Sequence, residues 1–571
     1  MIFSPMKICF LLLGLLAAFT GSAQAQWKDI TYTIKPGWNA IWLPGDATWG
    51  TVETVLDTAT RTNLEDVWLW NPNARPFQFT TDPAAPAAGT PEWLYWKRSD
   101  PAASTLRQLI GQRAYLVRSS AAANITLPIK QRMLPPNVVW QRTGANFLGF
   151  PAKAGANFAS YFAGYPPAIA STTKVFKYVG GNLAPDSNPK IVIRSSEVLD
   201  PTQAYWFNTQ TVSDFVAPIE VSTSTGAGFD FGASQDTVTL QLRNRTNASI
   251  SITLGEVASA LAPAGQPVVK GRVPLMVRKV LPDAPSQLTP LSSTTSITRT
   301  IAAQTSDLVQ VSINRAAMSG GSGDVFGSLL RITDSNNLVD ILLPVSAQVR
   351  SNAGLWVGDA SVNLVESEVA GSTGKSVAAP FPLRLIVHVN SSGEVTLLQQ
   401  VFSGVLAATP NTTGLCTKES LLKQDAKAGA SRFMATHLPL DLAVVDDKIK
   451  FTLGTSPTVT LKVKIPFDAE SNPFVHQYHP DHDNLDARYG KLPDGAESWS
   501  ITRIISMSFA ATAPAGVSPT SYGSTVLAGT YKEEISGLRK NDAPDAAEST
   551  HNVEGTFILR RVSDIATYSK P

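Results

Sequence analysis

Three histidines and two aspartates crowd one short run near the C-terminus: His476, His479, Asp481, His482 and Asp483. Imidazole nitrogen suits zinc and its neighbours, while carboxylate oxygen suits calcium. Zinc and calcium are therefore the candidate ions. In an enzyme built on this run, the imidazoles hold the ion and Asp481 or Asp483 acts as base towards a bound water. The histidines recur every third residue, a spacing that one helix face can carry. Pro480 argues against a helix, because it has no N–H and pushes His479 out of helical geometry. The run reads instead as a loop between a strand ending at Ile465 and another near Trp499. The plainer alternative is a set of turn caps, since Asp and Asn hydrogen-bond their own backbone without any ion.

Two known ligand patterns fit this run incompletely. An EF-hand needs a ligand and a glycine where Leu485 and Asp486 stand. The metallo-β-lactamase string needs a further histidine where Gln477 stands, and that family's strand–helix alternation is absent.

Aromatic residues give the second chemical signal. Of 12 tryptophans, all but Trp356 and Trp499 fall between Trp27 and Trp206. Exposed indoles make stacking platforms for sugar rings, and Trp68, Trp70, Trp93 and Trp96 are the candidate polymer-binding set. The competing use of the same residues is to fill the core of small β units that have no disulfides.

Other motifs fall short. Gly371 to Ser376 looks like a phosphate loop, but the pattern needs a glycine where Val369 stands. There is no Gly-x-Ser-x-Gly elbow and no His-Glu-x-x-His pair. Cys416 has no histidine beside it. Asp446-Asp447 and Glu533-Glu534 are adjacent pairs, which a strand sends to opposite faces.

The elements that must carry these residues read as strands. Glycine and proline are frequent, at 39 each, and charge is sparse at 16%. Between Trp27 and Val221 a unit occurs twice. Each copy opens on a strand ended by proline (Pro36 to Pro44; Thr143 to Pro151) and continues into a short helix (Thr51 to Leu56; Asn157 to Phe162). An aromatic strand follows (Val67 to Trp70; Val175 to Tyr178), and a closing strand ends the copy (Gly111 to Val117; Pro201 to Phe207). Ser222 to Gly226 reads as a linker. Beyond it, alternating strands over 237–242, 248–254, 309–313, 328–333 and 339–349 suggest a β-sandwich. From Gly354 the chain forms another β domain, with a hairpin turning at Ser391-Ser392-Gly393, an inward strand face interrupted by Arg503, and a helix over Lys418 to Lys427. The expected fold is mainly β and multidomain: a signal peptide over 1–25, module copies over 27–135 and 136–221, an Ig-like sandwich over 227–350, and a C-terminal β domain over 354–571.

Lys7, the apolar run from Ile8 to Thr20 and Ala23-Gln24-Ala25 have the order of a secretory signal cut before Gln26. No later stretch predicts a transmembrane anchor. With Cys9 in the signal, Cys416 alone remains, so no internal disulfide is expected. A formal charge of +2, without a basic stripe, argues against a nucleic-acid partner.

The duplicated unit resembles a module of secreted bacterial proteins with GWNLxxLP-like opening and GxGYW-like closing strands. Ala145 replaces the opening Trp in copy two. The next block is similar to Ig-like domains of bacterial surface proteins, carrying Thr237 to Leu242 early and Leu330-Arg331-Ile332-Thr333 late. The last block resembles a C-terminal module of large exported bacterial proteins, through Gly354 to Gly358, the Tyr478 to Asp486 run and Gly555 to Arg561. The resemblances imply a protein of the extracellular space, cell surface or periplasm. The expected function is non-catalytic: adhesion, scaffolding, or binding of a polysaccharide or surface protein. The alternative is a metal-dependent hydrolase using the His476 to Asp483 loop.

Overall fold

The computed structural model describes residues 26–367, apart from 57–60, 72–85, 87–88, 91, 141–143, 185–186, 210–212 and 282–283, and then 375–400, 458–465, 501–536 and 550–567. Strands make up 53% of the described residues and helices 4%, so the fold is mainly β. Two compact units emerge: residues up to Ile313 with Asp324–Gln348, and Asn314–Gly323 with the residues from Val349 on.

The first unit begins with the two repeats. In copy one a four-stranded antiparallel sheet runs Gly37–Leu43, Arg113–Ser119, Leu64–Trp70, Trp93–Lys97. In copy two the order is Gly144–Leu148, Tyr205–Thr209, Lys174–Lys177, Lys190–Ile191. Opening strand, closing strand, aromatic strand and edge strand thus occupy the same places in both. The helices match as well. Thr51 caps Val52–Val55 by accepting from the Thr54 N–H, and Asn157 caps Phe158–Tyr161 by accepting from the Ser160 N–H.

Alternation along each strand gives its sheet two apolar faces. In copy one Ile41, Val67, Leu69, Trp96, Tyr115 and Val117 face a core closed by the helix and by the strands Trp27–Ile34 and Ile125–Met133. The opposite face, with Trp42, Trp68, Trp70, Trp93 and Leu116, packs against Phe147, Phe176, Tyr178 and Trp206 of copy two. Main-chain bonds stitch the copies together: Trp38 N–H donates to Gly181 O at 2.9 Å, Gly181 N–H to Pro36 O at 2.7 Å, and Trp42 N–H to Thr202 O at 2.8 Å. Gly37 is required at this seam. Its φ is 79°, and a Cβ there would sit 2.3 Å from Gly181 O.

Two five-stranded sheets complete the first unit. One orders Ile219–Thr223, Thr237–Asn244, Ser306–Ile313, Leu275–Leu281, Ala284–Pro290; the other orders Phe229–Asp230, Asp340–Gln348, Val325–Asp334, Ile250–Ala258, Ile297–Ile301. Val238, Leu240 and Leu242 alternate inward from the first, and Ile250, Ile252 and Leu254 from the second. The linker expected at Ser222 begins too late. Ser222 and Thr223 are already paired with Gln241 and Leu240, so the chain enters the sandwich at Ile219. Small hydroxyl residues suit a half-exposed edge strand as well as a linker. Between Ile250–Ala258 and Ile297–Ile301 the chain forms the hairpin Leu275–Leu281 and Ala284–Pro290.

The second unit is a seven-stranded antiparallel sheet, ordered Val395–Gln400, Lys375–Val389, Gly354–Ser367, Thr550–Ser563, Val526–Ser536, Ile501–Phe509, Thr458–Ile465. One face buries Trp356, Leu385, Ile505, Met507, Phe557 and Leu559. Arg503 interrupts this face as expected, yet it is fully buried. Its Nε donates to Glu533 Oε1, and Tyr531 OH donates to Glu533 Oε2 at 2.6 Å. Glu534 points outward, as adjacent strand residues must. The helix expected over 418–427 lies outside the described residues.

Candidate binding cleft

The tryptophan set is placed differently from the sugar-platform expectation. Trp68, Trp70, Trp93 and Trp96 are 4%, 9%, 3% and 1% exposed. Trp68, Trp70 and Trp93 fill the core between the copies. Trp70 lies edge-on to Trp206 at 5.3 Å, and Trp93 meets Trp68 edge-on at 6.4 Å. Trp96 belongs to the other core, with its indole N–H on Glu53 Oε1 at 2.7 Å. Trp93 and Trp96 are an odd number of residues apart, so the pleat sends them to opposite faces. The four rings cannot form one platform, and their faces are covered by protein.

The concave feature lies beside this core, where both copies meet the sandwich. A cleft of about 250 Å³ is lined mainly by apolar groups, among them Trp42, Pro44, Met133, Leu134, Phe150 and Leu342. A smaller cavity of about 140 Å³, lined by Trp70, Ile110, Val139 and Phe147, shares Trp42, Gln112 and Asn137 with it. Ile110 and Val139 are 45% and 55% exposed, which leaves apolar surface at the rim. The buried indole N–H of Trp70 has no hydrogen-bond partner among the described residues.

Each wall is held by a separate device. Tyr32 OH donates to Trp42 O at 2.9 Å and accepts from Gln131 Nε2 at 2.8 Å, while Gln131 Oε1 accepts from Gly45 N–H at 2.9 Å. This buried network fixes the segment Trp42 to Gly45. Burial pushes the Tyr32 phenol well above its ordinary range, so it stays protonated and keeps donating. Pro135 and Pro136 stiffen the wall between the copies. Gln112 clamps that wall to the opening strand, with its N–H on Leu43 O at 2.6 Å and its carboxamide N–H on Pro135 O. Gln112 does so in a left-handed conformation, φ 55°, that costs a non-glycine residue on the order of 1 kcal/mol. On the third side Lys153 N–H donates to Leu338 O at 2.9 Å, while the Asp334 carboxylate accepts from Leu338 and Val339 N–H at 2.8 and 2.7 Å.

Asp340, a carboxylate in the lining, is held by Arg331 through bonds of 2.7 and 2.6 Å. That pairing raises the Arg331 guanidinium further above its ordinary value. No serine, cysteine or histidine is among the described residues lining either cavity. Sequence reasoning missed this cleft. Its signals were the Met133 to Pro136 stretch between the copies and the proline ending each opening strand, read only as boundaries.

His476, His479, Asp481, His482 and Asp483 lie outside the described residues, and the zinc or calcium expectation lies there with them. Among the described residues no group of three or more His, Cys, Asp or Glu gathers as a metal site. No helix among them is long and apolar enough to cross a membrane.

No family model matches the chain, and no curated protein matches it. Among solved structures, a Bacteroides ovatus protein of unknown function aligns at 9% identity over 60% of this chain and 96% of its own, with a TM-score of 0.15. A multidomain protein including DUF1735, also from Bacteroides ovatus, aligns at 10% identity over the same shares, with a TM-score of 0.13. Scores this low carry no argument about function, so the cleft must be read from its own chemistry.

Proposed function

We propose that the protein is an exported, non-catalytic surface or extracellular component that works in adhesion or scaffolding by holding a partner in the junction cleft. The observation that carries this reading is the lining: aromatic, proline and aliphatic walls with few polar groups, set on paired sheets. Such concave, mainly apolar sites with sparse polar groups are binding sites. The partner we favour is an extended segment of a surface protein. An apolar side chain of that segment seats beside Trp42, and its backbone pairs with the carboxamide of Asn137, an exposed residue at the cleft. A polysaccharide is the lesser candidate, because the rings that would stack on it are covered.

An array of short extended peptides and a panel of immobilised polysaccharides test the reading. The wild-type protein should be retained by peptides carrying an apolar residue, and Leu134→Glu should lose that retention. Retention by polysaccharides that survives Leu134→Glu, with none by peptides, would transfer the function to another surface. The hydrolase alternative rests on the His476 to Asp483 run alone.

A further inference from the structure

The second unit contains a polar cleft of about 200 Å³ between the glycine-rich stretch at Gly320 to Ser322 and the turn at Ser391 to Gly393. We propose that this cleft binds an oxyanion, the carboxylate, sulfate or phosphate group of a ligand, on the guanidinium of Arg350. Charge balance is the first argument. Arg350 and Arg561 share one carboxylate, Asp564, at 3.0 and 2.6 Å. The two arginine side chains are 13% and 5% exposed, while Asp564 is 66% exposed and largely given to water. Within this trio two sequestered cations face one solvated anion, a third buried guanidinium, Arg315, also lines the cleft, and burial makes an anion's arrival more favourable.

The division of labour between the arginines is the second argument. Arg561 is committed to structure: it also donates to Ser351 O at 2.8 Å and to Ala353 O, which fixes the loop beneath the cleft. Arg350 lines the cleft itself, and none of the described lining residues is a carboxylate. Burial and the neighbouring Arg350 both lower the affinity of Arg561 for its proton, with Asp564 opposing them, as expected of crowded positive charge. The third argument is Asn352, also in the lining, whose buried carboxamide oxygen has no partner among the described residues. A half-turn of that carboxamide presents two N–H donors to an anion. This site lies in the other unit from the junction cleft and does not depend on it.

Calorimetric titration of the full chain with sodium sulfate, sodium phosphate and sodium galacturonate, at ionic strength held constant with chloride, tests the proposal. At least one should bind saturably, and the tightest names the group: tetrahedral if sulfate or phosphate, carboxylate if galacturonate. Arg350→Gln should weaken that binding about tenfold. Asp564→Asn removes the competing carboxylate from an exposed position and should tighten it several-fold, a gain that misfolding does not produce. Absence of saturable heat from all three salts, an unchanged affinity in Arg350→Gln, or a failure of Asp564→Asn to tighten binding would each overturn it.

Discussion

Gly149 lies against the indole of Trp42, so close that a Cβ on it would stand 2.1 Å from Trp42 Cγ. Gly149 follows the opening strand of copy two, and Trp42 sits within the opening strand of copy one. Equivalent segments of the repeat therefore meet through the smallest residue and one of the largest. Trp42 also lines both cavities, so this contact joins the shared core to the cleft.

Gly149→Ala should accordingly destabilise the first unit. The added methyl cannot fit without moving Trp42, and overpacking of this kind costs about 1–3 kcal/mol. Gly255→Ala is the control, because a Cβ at that strand position meets nothing within 4 Å. Urea unfolding followed by tryptophan fluorescence should show a lower midpoint for Gly149→Ala and little change for Gly255→Ala. Equal midpoints would remove the close contact from the account.

Glu533 carries a buried pair in the second unit, bonded to both Arg503 and Tyr531. Glu533→Ala leaves the Arg503 charge buried without its main partner, a loss on the order of 3–5 kcal/mol. Tyr531→Phe removes one neutral donor and should cost about 1–2 kcal/mol. If thermal unfolding ranks Tyr531→Phe as the worse of the two, Arg503 is being neutralised by another group.

Alkali should unfold the repeats before it unfolds any region without buried phenols. Tyr32, Tyr115, Tyr161, Tyr178 and Tyr205 all have phenols pushed above the ordinary value of 10.0, burial being the main cause in each. The raised folded value means the fold favours the protonated form. That stability is complete below the unfolded value and is lost as pH climbs from about 10 towards the folded values. Phenolate absorbance and the loss of near-ultraviolet dichroism should rise together in this range. Smooth phenolate formation near pH 10 with the fold intact would show that the rings are open to solvent.

Much of the architecture was legible because the pleat forces apolar residues to alternate. Leu383, Leu385, Val387 and Val389 alternate along the strand that leads into the turn at Ser391, and the face they share is buried. The repeat was legible because its landmarks recur in order, and the sheets reproduce that order strand for strand. Burial of the tryptophans was not legible. Trp68 and Trp70 share a face in either reading, and only copy two, arriving through Phe147 and Trp206, decides that the face is covered. The partners of Arg503 were hidden for a similar reason: alternation says that it points inward, but register alone brings it opposite Ile535 and near Glu533.

Chelation separates the two functional readings. Retention by an apolar partner should survive exhaustive treatment with EDTA, since an apolar seat needs no ion. Loss of function on chelation, restored by zinc or calcium and absent in a His479→Ala, His482→Ala variant, would instead place the function at the His476 to Asp483 run.

Hydrogen–deuterium exchange of the full chain with and without a retained peptide tests the binding claim most directly. The account predicts slower exchange on binding in the segments 110–114 and 133–139, which line the two cavities. Slower exchange confined to the second unit, with those segments unchanged, would contradict it.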